Sequence, residues 1–216
     1  MGTHDLSTAL KNVLSDRQLL THPFYRRWEA GELEDGELAA YAAQYRYFEA
    51  ALPAVLETIA GHLPAGSARD LVEMNLADER SVPRTHLELF DDFADAVGAL
   101  PAGPSPSTEH LLAVYATALA EGPAAALGAV AAYESQASAV AASKADGLRA
   151  HYGLPAAGTA FWELHADADE AHAAWTYDAL VELAGDDPTA VLHAVRRTAD
   201  AWWSFLDERE AERHAA

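Results

Sequence analysis

The stretch Phe161–Trp175, FWELHADADEAHAAW, decides the fold class of this chain and points to its site. His165, Asp169 and His172 are spaced 0, +4 and +7, so a helix that turns about 100° per residue places all three within about 60° of one face. Apolar residues lie beside this stripe and acidic residues lie on other sides, as in an amphipathic helix packed against a core. The stretch therefore predicts a helix with three metal-ligand side chains bordering its packed face.

Two other predicted helices carry ligand-type residues. Glu79 and His86 are seven residues apart on one of them, and Glu134 lies among small apolar residues on the other. A carboxylate buried without a partner costs several kcal/mol, so we expect a cation to meet Glu134. That cation is either a metal ion or a basic side chain, such as Lys144 or an arginine, in a buried ion pair.

Two metal ions would satisfy all of these groups. The predicted ligands are Glu79, His86, Glu134, His165, Asp169 and His172. A mixed oxygen and nitrogen set with open positions suits iron or manganese, and an iron pair would bind and activate O₂. Pro83 lies between Glu79 and His86, where a helix break would bring both toward one ion. The alternative is that Pro83 only begins a new helix and that no site exists there.

The whole chain predicts an all-α fold of about seven helices without strands. No loop is long enough to divide it, so residues 1–216 are expected to form one helical domain. The aromatic residues of the last helix are predicted to be core or dimer contacts. The predicted helices span about 6–30 with a break near Pro23, 33–62 with a kink at Pro53, 66–97 with an interruption at Pro83, 109–120, the Glu134 helix to Gly147, the His165 helix to Gly185, and 189–210.

Composition restricts the functions open to the chain. With 34 acidic and 14 basic residues the net charge is −20, which repels nucleic acid and anionic membranes. The absence of cysteine excludes disulfides, thiolate metal ligands and a cysteine nucleophile. Neither a signal segment nor a run of eighteen apolar residues occurs, so a cytoplasmic location is expected.

The ordered ligand set resembles that of the haem-oxygenase-like dimetal oxidases. The segment from His22 to Leu33 is similar to the start of the same superfamily, which includes proteins of the TenA and PqqC type, although metal-free relatives share it. The resemblance covers about residues 20–206 and implies a haem-oxygenase-like helical bundle, a pair of iron ions or one iron and one manganese ion, and O₂ as co-substrate. The residues that carry it are Asn75-Leu-Ala-Asp-Glu79, His86, Tyr133-Glu134 and His165-x₃-Asp169-x₂-His172.

Within this superfamily the chain is most similar to the self-sacrificing p-aminobenzoate synthases, typified by the Chlamydia protein associating with death domains. The likeness implies that Tyr25 is the sacrificed residue, that Lys144 donates the amino group, and that Tyr133 assists beside the ligand carboxylate. Lys144 is one of only two lysines in the chain. Phe161 departs from the pattern, since these relatives carry there a further tyrosine implicated in the radical chemistry. The likeness also implies a homodimer and an external reductant.

Other functions remain open on the sequence alone. The same metal pair would also serve an oxidase for a small external substrate, resembling an amino acid or a fatty acid, and a metal-free bundle would serve as an interaction protein. Tyr45 and Tyr47 are candidates for lining a substrate pocket, and Arg46 is a candidate for binding a substrate carboxylate. Glu49 is a candidate extra ligand, as in some members of the superfamily.

Overall fold

Proline and capping residues set the helix boundaries. The computed structural model describes residues 3–185 and 187–213, and the side chains of residues 3–5 and of Asp169 lie outside that description. Pro23, Pro106 and Pro123 each stand at the start of a helix, where the missing backbone N–H is not needed. In the described residues the chain is all-helical, as predicted. The elements are α1 (Thr3–Leu14), α2 (Pro23–Ala30), α3 (Asp35–His62), α4 (Ser67–Glu79), α5 (His86–Ala96), α6 (Pro106–Glu121), α7 (Pro123–Gly147), α8 (Ala156–Ala184) and α9 (Thr189–Glu212).

The described part of the chain therefore contains nine α-helices, more than the seven or so predicted. The excess has a simple cause, because the breaks expected near Pro23 and Pro83 each separate two helices completely. A short 3₁₀ turn, Leu19–Thr21, precedes α2, and a π-helical turn, Leu148–Tyr152, follows α7. Pro53, in contrast, lies inside α3, which continues to His62.

The core is built around α7, which packs against α8 and α9. Alanine and glycine dominate α7, and most of its length is buried, so neighbouring helices approach it closely. On the other side of α8 lie α4 and α5, and α3 spans the bundle in contact with α4, α5 and α6. Trp202, Phe205 and Leu206 of α9 are fully buried in this core, as predicted, whereas Trp203 is only partly buried.

Among the described residues, none of the helices is both long and apolar enough to span a membrane.

Candidate metal centre

Four buried acidic and imidazole side chains meet where α3, α4, α5 and α8 converge. Glu49, Glu79, His86 and His165 each place one potential ligand atom within 4.8 Å of the others. All four side chains are buried. We call this group the Glu/His cluster.

The break between α4 and α5 positions two members of the Glu/His cluster. Glu79 is the last residue of α4 and His86 is the first residue of α5. The loop between the two helices brings these two side chains next to each other. Thr85 caps α5 by accepting a hydrogen bond from the Glu88 backbone N–H, and the Glu88 carboxylate accepts one from the Thr85 backbone N–H in return. Pro83 thus separates two helices and still leaves the predicted pair together.

The contact between Glu79 and His86 is close, yet it lacks the geometry of a hydrogen bond. Glu79 Oε2 lies 3.1 Å from His86 Nδ1, and neither atom has a hydrogen-bond partner in the described structure. Burial alone would raise the pKa of the Glu79 carboxyl, but the adjacent His86, with His165 and His172 nearby, outweighs burial and holds that pKa below its usual value.

The backbone fixes the tautomer of His165. Its Nδ1 lies 2.8 Å from the carbonyl oxygen of Phe161, one helical turn earlier. A carbonyl oxygen only accepts, so Nδ1 carries the proton and Nε2 carries the lone pair of the neutral ring. A metal-binding histidine is usually held in this way by a hydrogen bond from its other nitrogen.

His172 lies at the edge of the Glu/His cluster. Its ring centroid is 6.2 Å from that of His86, whereas the ring centroids of His86 and His165 are 4.6 Å apart. His172 Nε2 lies 3.1 Å from a carboxylate oxygen of Asp78, which is half exposed. The structure therefore brings His172 beside the cluster and pairs it with a carboxylate that the sequence analysis did not single out.

Glu134 is buried on α7, as predicted, and it is held by neutral donors. Asn75 Nδ2 donates to one carboxylate oxygen at 2.6 Å, and the Thr176 hydroxyl donates to the other. Asn75 is one turn before Glu79 on α4, and Thr176 is one turn after His172 on α8. Glu134 therefore lies about one helical turn from the cluster residue Glu79 along α4 and about one turn from His172, at the edge of the cluster, along α8. The predicted ligand Asp169 is in α8, but its side chain lies outside the described residues.

A second group of buried polar atoms surrounds Lys144. Lys144 Nζ donates a hydrogen bond to the Tyr41 hydroxyl at 2.6 Å, and that hydroxyl is hydrogen-bonded to the hydroxyl of Tyr25 at 2.9 Å. All three side chains are buried. Burial raises the pKa of Tyr25 and of Tyr41 well above the usual value of a phenol. Tyr25 and Lys144, predicted to react together, are therefore linked through Tyr41.

Aromatic rings enclose the Lys144 amine. Its Nζ lies 3.9 Å from the ring centroid of Trp162 and 4.7 Å from that of Tyr25. Trp28, Tyr41 and Tyr45 complete the enclosure at 4.8 to 5.7 Å. We call these five rings the aromatic cage. The cage keeps water away from the amine and from the hydroxyl of Tyr25.

Of the other predicted site residues, the two tyrosines Tyr45 and Tyr133 lie in the core, and Arg46 and Tyr47 lie on the outer side of α3. Tyr45 is buried and donates to the hydroxyl of Tyr133 at 2.9 Å, so these two separately predicted residues are in contact. Arg46 instead forms an exposed ion pair with Asp91, at 2.6 Å from Nε to a carboxylate oxygen. Tyr47 donates to the carbonyl oxygen of Ala102 on the same outer side. The structure therefore does not bring Arg46 or Tyr47 to the Glu/His cluster, because one residue along a helix turns the side chain by about 100°.

Sequence reasoning gave Glu49 only as an extra candidate and missed Asp78, Tyr41 and Trp162. A signal for two of them exists in α3. Tyr41, Tyr45 and Glu49 recur every four residues, so they share one face that runs from the aromatic cage to the Glu/His cluster.

The residues of the cluster fit a metal ion. Two buried carboxylates within a few ångströms repel one another, and a divalent cation would neutralise them. Glu79 Oε2 and His86 Nδ1 face each other as two ligand atoms of one ion do, and His165 is held in a ligand tautomer. Carboxylate and imidazole ligands are a set that iron accepts.

Solved structures identify the fold. A protein of Shewanella denitrificans described as having a haem-oxygenase-like fold superposes with a TM-score of 0.80 at 17% identity, covering 99% of this chain and 94% of that one. A protein of Nostoc punctiforme described as similar to the Chlamydia protein associating with death domains superposes at 0.79 with 19% identity, covering 97% of each chain. The chain is thus a haem-oxygenase-like helical protein with a buried carboxylate and imidazole cluster.

Sequence comparison gives the family. Residues 39–203 match the profile of a family described as iron-containing redox enzymes. The chain is 36% identical over 228 residues to the 4-aminobenzoate synthase of Nitrosomonas europaea, covering 96% of this chain and 92% of that protein. It is 31% identical over 205 residues to the 4-aminobenzoate synthase of Chlamydia pneumoniae, covering 91% of each. The chain belongs to the haem-oxygenase-like family of iron-containing redox enzymes, as the resemblance of its motifs predicted.

Proposed function

We propose that this protein is a non-haem dimetal oxidase that makes p-aminobenzoate, also called 4-aminobenzoate, from its own Tyr25, with Lys144 as the source of nitrogen. One observation carries the proposal: Tyr25 and Lys144 are buried together and joined through the Tyr41 hydroxyl. The names of the relatives support the product, and the family supports iron-dependent redox chemistry.

In this proposal the Glu/His cluster, with Glu134, His172 and Asp169, holds two metal ions, either two irons or one iron and one manganese. When bound, the metal pair supplies the means to activate O₂, with electrons from an external reductant. The chain's own residues hold the reacting groups in place. His165 is oriented by the Phe161 carbonyl, and Glu134 is oriented by Asn75 and Thr176.

The product defines the bonds that must change. p-Aminobenzoate contains a six-carbon ring and one carboxyl carbon, which match the ring and Cβ of tyrosine. The Cα–Cβ bond of Tyr25 must therefore break, which leaves glycine at position 25, and O₂ oxidises Cβ to the carboxyl level. A carbon–nitrogen bond forms at Cζ of Tyr25 while the Cζ–Oη bond breaks, and the phenol oxygen leaves as water. The Cε–Nζ bond of Lys144 breaks, and Cε is oxidised to an aldehyde. Two O₂ molecules, with two electrons from the external reductant and two protons, balance the whole change and leave two waters. Because the aromatic cage excludes water, the amine and the phenol meet without competition from hydrolysis.

The test is a single-turnover reaction. Reduced, iron-loaded protein given O₂ should release p-aminobenzoate in less than one equivalent per chain, and peptide mass spectrometry should show tyrosine converted to glycine at position 25. Tyr25→Phe should release none, and Lys144→Arg should also fail, because arginine keeps the charge but does not readily give up an amine. Tyr47→Phe, an outer tyrosine of α3, is the matched control and should react normally.

Two results would contradict the proposal. Product from Tyr25→Phe would mean that another residue or molecule supplies the ring. Many turnovers of an added small substrate with Tyr25 intact would mean that the protein is an oxidase for external substrates.

A further inference from the structure

Trp162 lies between the two buried groups described above. On one side its ring centroid is 4.7 Å from that of Phe161, which is 4.1 Å from the ring of His165 in the Glu/His cluster. On the other side it is the cage ring nearest to Lys144 Nζ, at 3.9 Å. Trp162 is therefore an oxidisable side chain that reaches toward both groups.

The position of Trp162 matters because the proposed reaction needs an oxidising equivalent to move from the Glu/His cluster to the phenol of Tyr25. The contacts that lead from the cluster to the cage pass through two rings, because Phe161 contacts His165 and Trp162 contacts both Phe161 and Lys144 Nζ. An oxidising equivalent that follows these contacts must therefore cross these rings to reach the phenol of Tyr25. Phe161 is the first of the two, but a phenyl ring is far harder to oxidise than an indole or a phenol.

We infer that Trp162 carries the oxidising equivalent from the metal centre to Tyr25. This inference rests on the proposed function and adds a residue to it. In the first step the Trp162 indole gives one electron toward the centre, where O₂ is the final acceptor, and becomes a cation radical. In the second step Tyr25 gives one electron to that radical. For this step the Lys144 amine is neutral, as its proposed role as nitrogen donor requires, and it accepts a hydrogen bond from Tyr41 in place of donating one. The phenolic proton of Tyr25 then passes to Tyr41 Oη, and the Tyr41 proton passes to Lys144 Nζ.

The surroundings of Trp162 suit this role. Its Nε1–H is buried and has no hydrogen-bond partner in the described part of the chain, so the indole keeps its proton when it loses an electron. An indole cation radical is a stronger oxidant than its deprotonated form. The rings of Trp162 and Tyr25 both contact Nζ of Lys144. Trp28 also lies between them, with its ring centroid 6.2 Å from that of Trp162 and 6.5 Å from that of Tyr25.

Tyr45 offers a competing route. It contacts Trp162 and Tyr41 at ring distances of 5.6 and 5.5 Å, and it is one turn before Glu49 on α3. Its hydroxyl, however, donates to Tyr133, so its oxidation requires a phenolic proton to move away from Tyr25. We therefore assign the transfer to the indole and treat Tyr45 as an outcome of the test.

The first experiment finds where oxidation stops. Iron-loaded, reduced Tyr25→Phe protein lacks the final electron donor, so O₂ should leave one or two added oxygen atoms on Trp162 in a peptide map. The same residue should be unmodified without iron. Trp203, on the outer part of α9 beside His22, is the internal control and should stay unmodified. Oxidation of Tyr45 in place of Trp162 would overturn the inference.

The second experiment separates redox chemistry from packing. Trp162→Phe should bind iron and melt like the Trp162→Tyr variant, yet yield p-aminobenzoate about tenfold or more below it, since only tyrosine of the two is readily oxidised. Trp203→Phe should give the unaltered yield. Equal yields from Trp162→Phe and Trp162→Tyr would overturn the inference while leaving the proposed function standing. If the unaltered protein releases no product, the proposed function fails, and the oxidation map alone decides the role of Trp162.

Discussion

Glu49 and Glu79 place two carboxylates in one buried cluster, and we expect this pair to affect both metal binding and stability. In the metal-free protein the two groups lose hydration and repel one another. With a divalent cation between them, the same charges become ligands. A single residue change should therefore move metal affinity and metal-free stability in opposite directions.

The prediction concerns Glu49→Gln, which keeps the volume and removes the charge. Iron should bind about tenfold or more weakly, because an anionic ligand is lost. The metal-free variant should melt at a higher temperature than the unaltered protein, because the repulsion is relieved. Iron titration and calorimetry measure the two effects. Glu57→Gln is the control, because Glu57 is an exposed carboxylate of the same helix and pairs with Arg80. It should neither weaken iron binding nor raise the melting temperature of the metal-free protein.

At this scale the sequence was informative where helical spacing applied. His165 and His172 were predicted from helical spacing and lie on α8 at the cluster and beside it, whereas Glu79 and His86 meet through the break between α4 and α5 that Pro83 suggested. Their roles as ligands remain predictions. Arg46 lies on the outer side of α3 and pairs with Asp91, which the sequence did not show, because a run of aromatic and charged residues does not reveal the inner face of the helix; its role toward a substrate remains a prediction. The contact of Thr176 with Glu134 could not be predicted from the sequence, because uncharged polar residues show no helical periodicity that would mark them as hydrogen-bond partners.

Among the helices, α4 and α5 are the two whose ends make the site. His86 is the first residue of α5, so its orientation depends on how that helix begins. The Thr85 and Glu88 side chains satisfy the backbone N–H groups at this end. The start of α5 is therefore a structural support for a predicted ligand.

Thr85→Ala removes this support and should lower the free energy of unfolding by about 1 kcal/mol. We expect faster amide exchange in the first turn of α5 together with weaker iron binding. Thr85→Ser keeps the capping oxygen and should behave like the unaltered protein. Faster exchange with unchanged iron affinity would show that the helix start does not position His86.

The helices could be predicted where proline or glycine marks an end, as at Pro23, Pro123 and Gly147. The end of α1 at Leu14 could not, because it depends on partners far along the chain. Arg17 pairs with Asp200 at 2.8 Å, and Gln136 accepts a hydrogen bond from the Leu19 backbone N–H at 2.9 Å. These contacts with α9 and α7 exist only after the bundle has formed, so local sequence does not report them.

Across the whole molecule, Tyr25, the tyrosine proposed to react, and the Glu/His cluster share one continuous core. Tyr25 packs against Phe24, Trp28 and Tyr41, and its side chain is almost completely enclosed. Most of the free energy that holds such a core comes from apolar surface removed from water and from close packing. The residue proposed to be consumed is therefore also a structural residue.

Tyr25→Gly reproduces the chain that the proposed reaction leaves behind. Removing a buried aromatic side chain should cost about 3 to 5 kcal/mol, and glycine within α2 about 0.5 to 1 kcal/mol more. Denaturant unfolding measures the loss. Tyr47→Gly, at an outer position of α3, is the matched control and should lose little beyond the glycine effect. Equal losses from the two variants would show that the bundle refills the space left by the Tyr25 ring.

The enclosure of Tyr25 has a consequence for the protein's lifetime. On the proposed function each molecule acts once, and the act removes a ring from its own interior. Spent chains would then unfold more often than fresh ones and be degraded first, because proteases act on the unfolded fraction. The supply of product would be set by the rate of protein synthesis, and used molecules would be cleared without any separate mark.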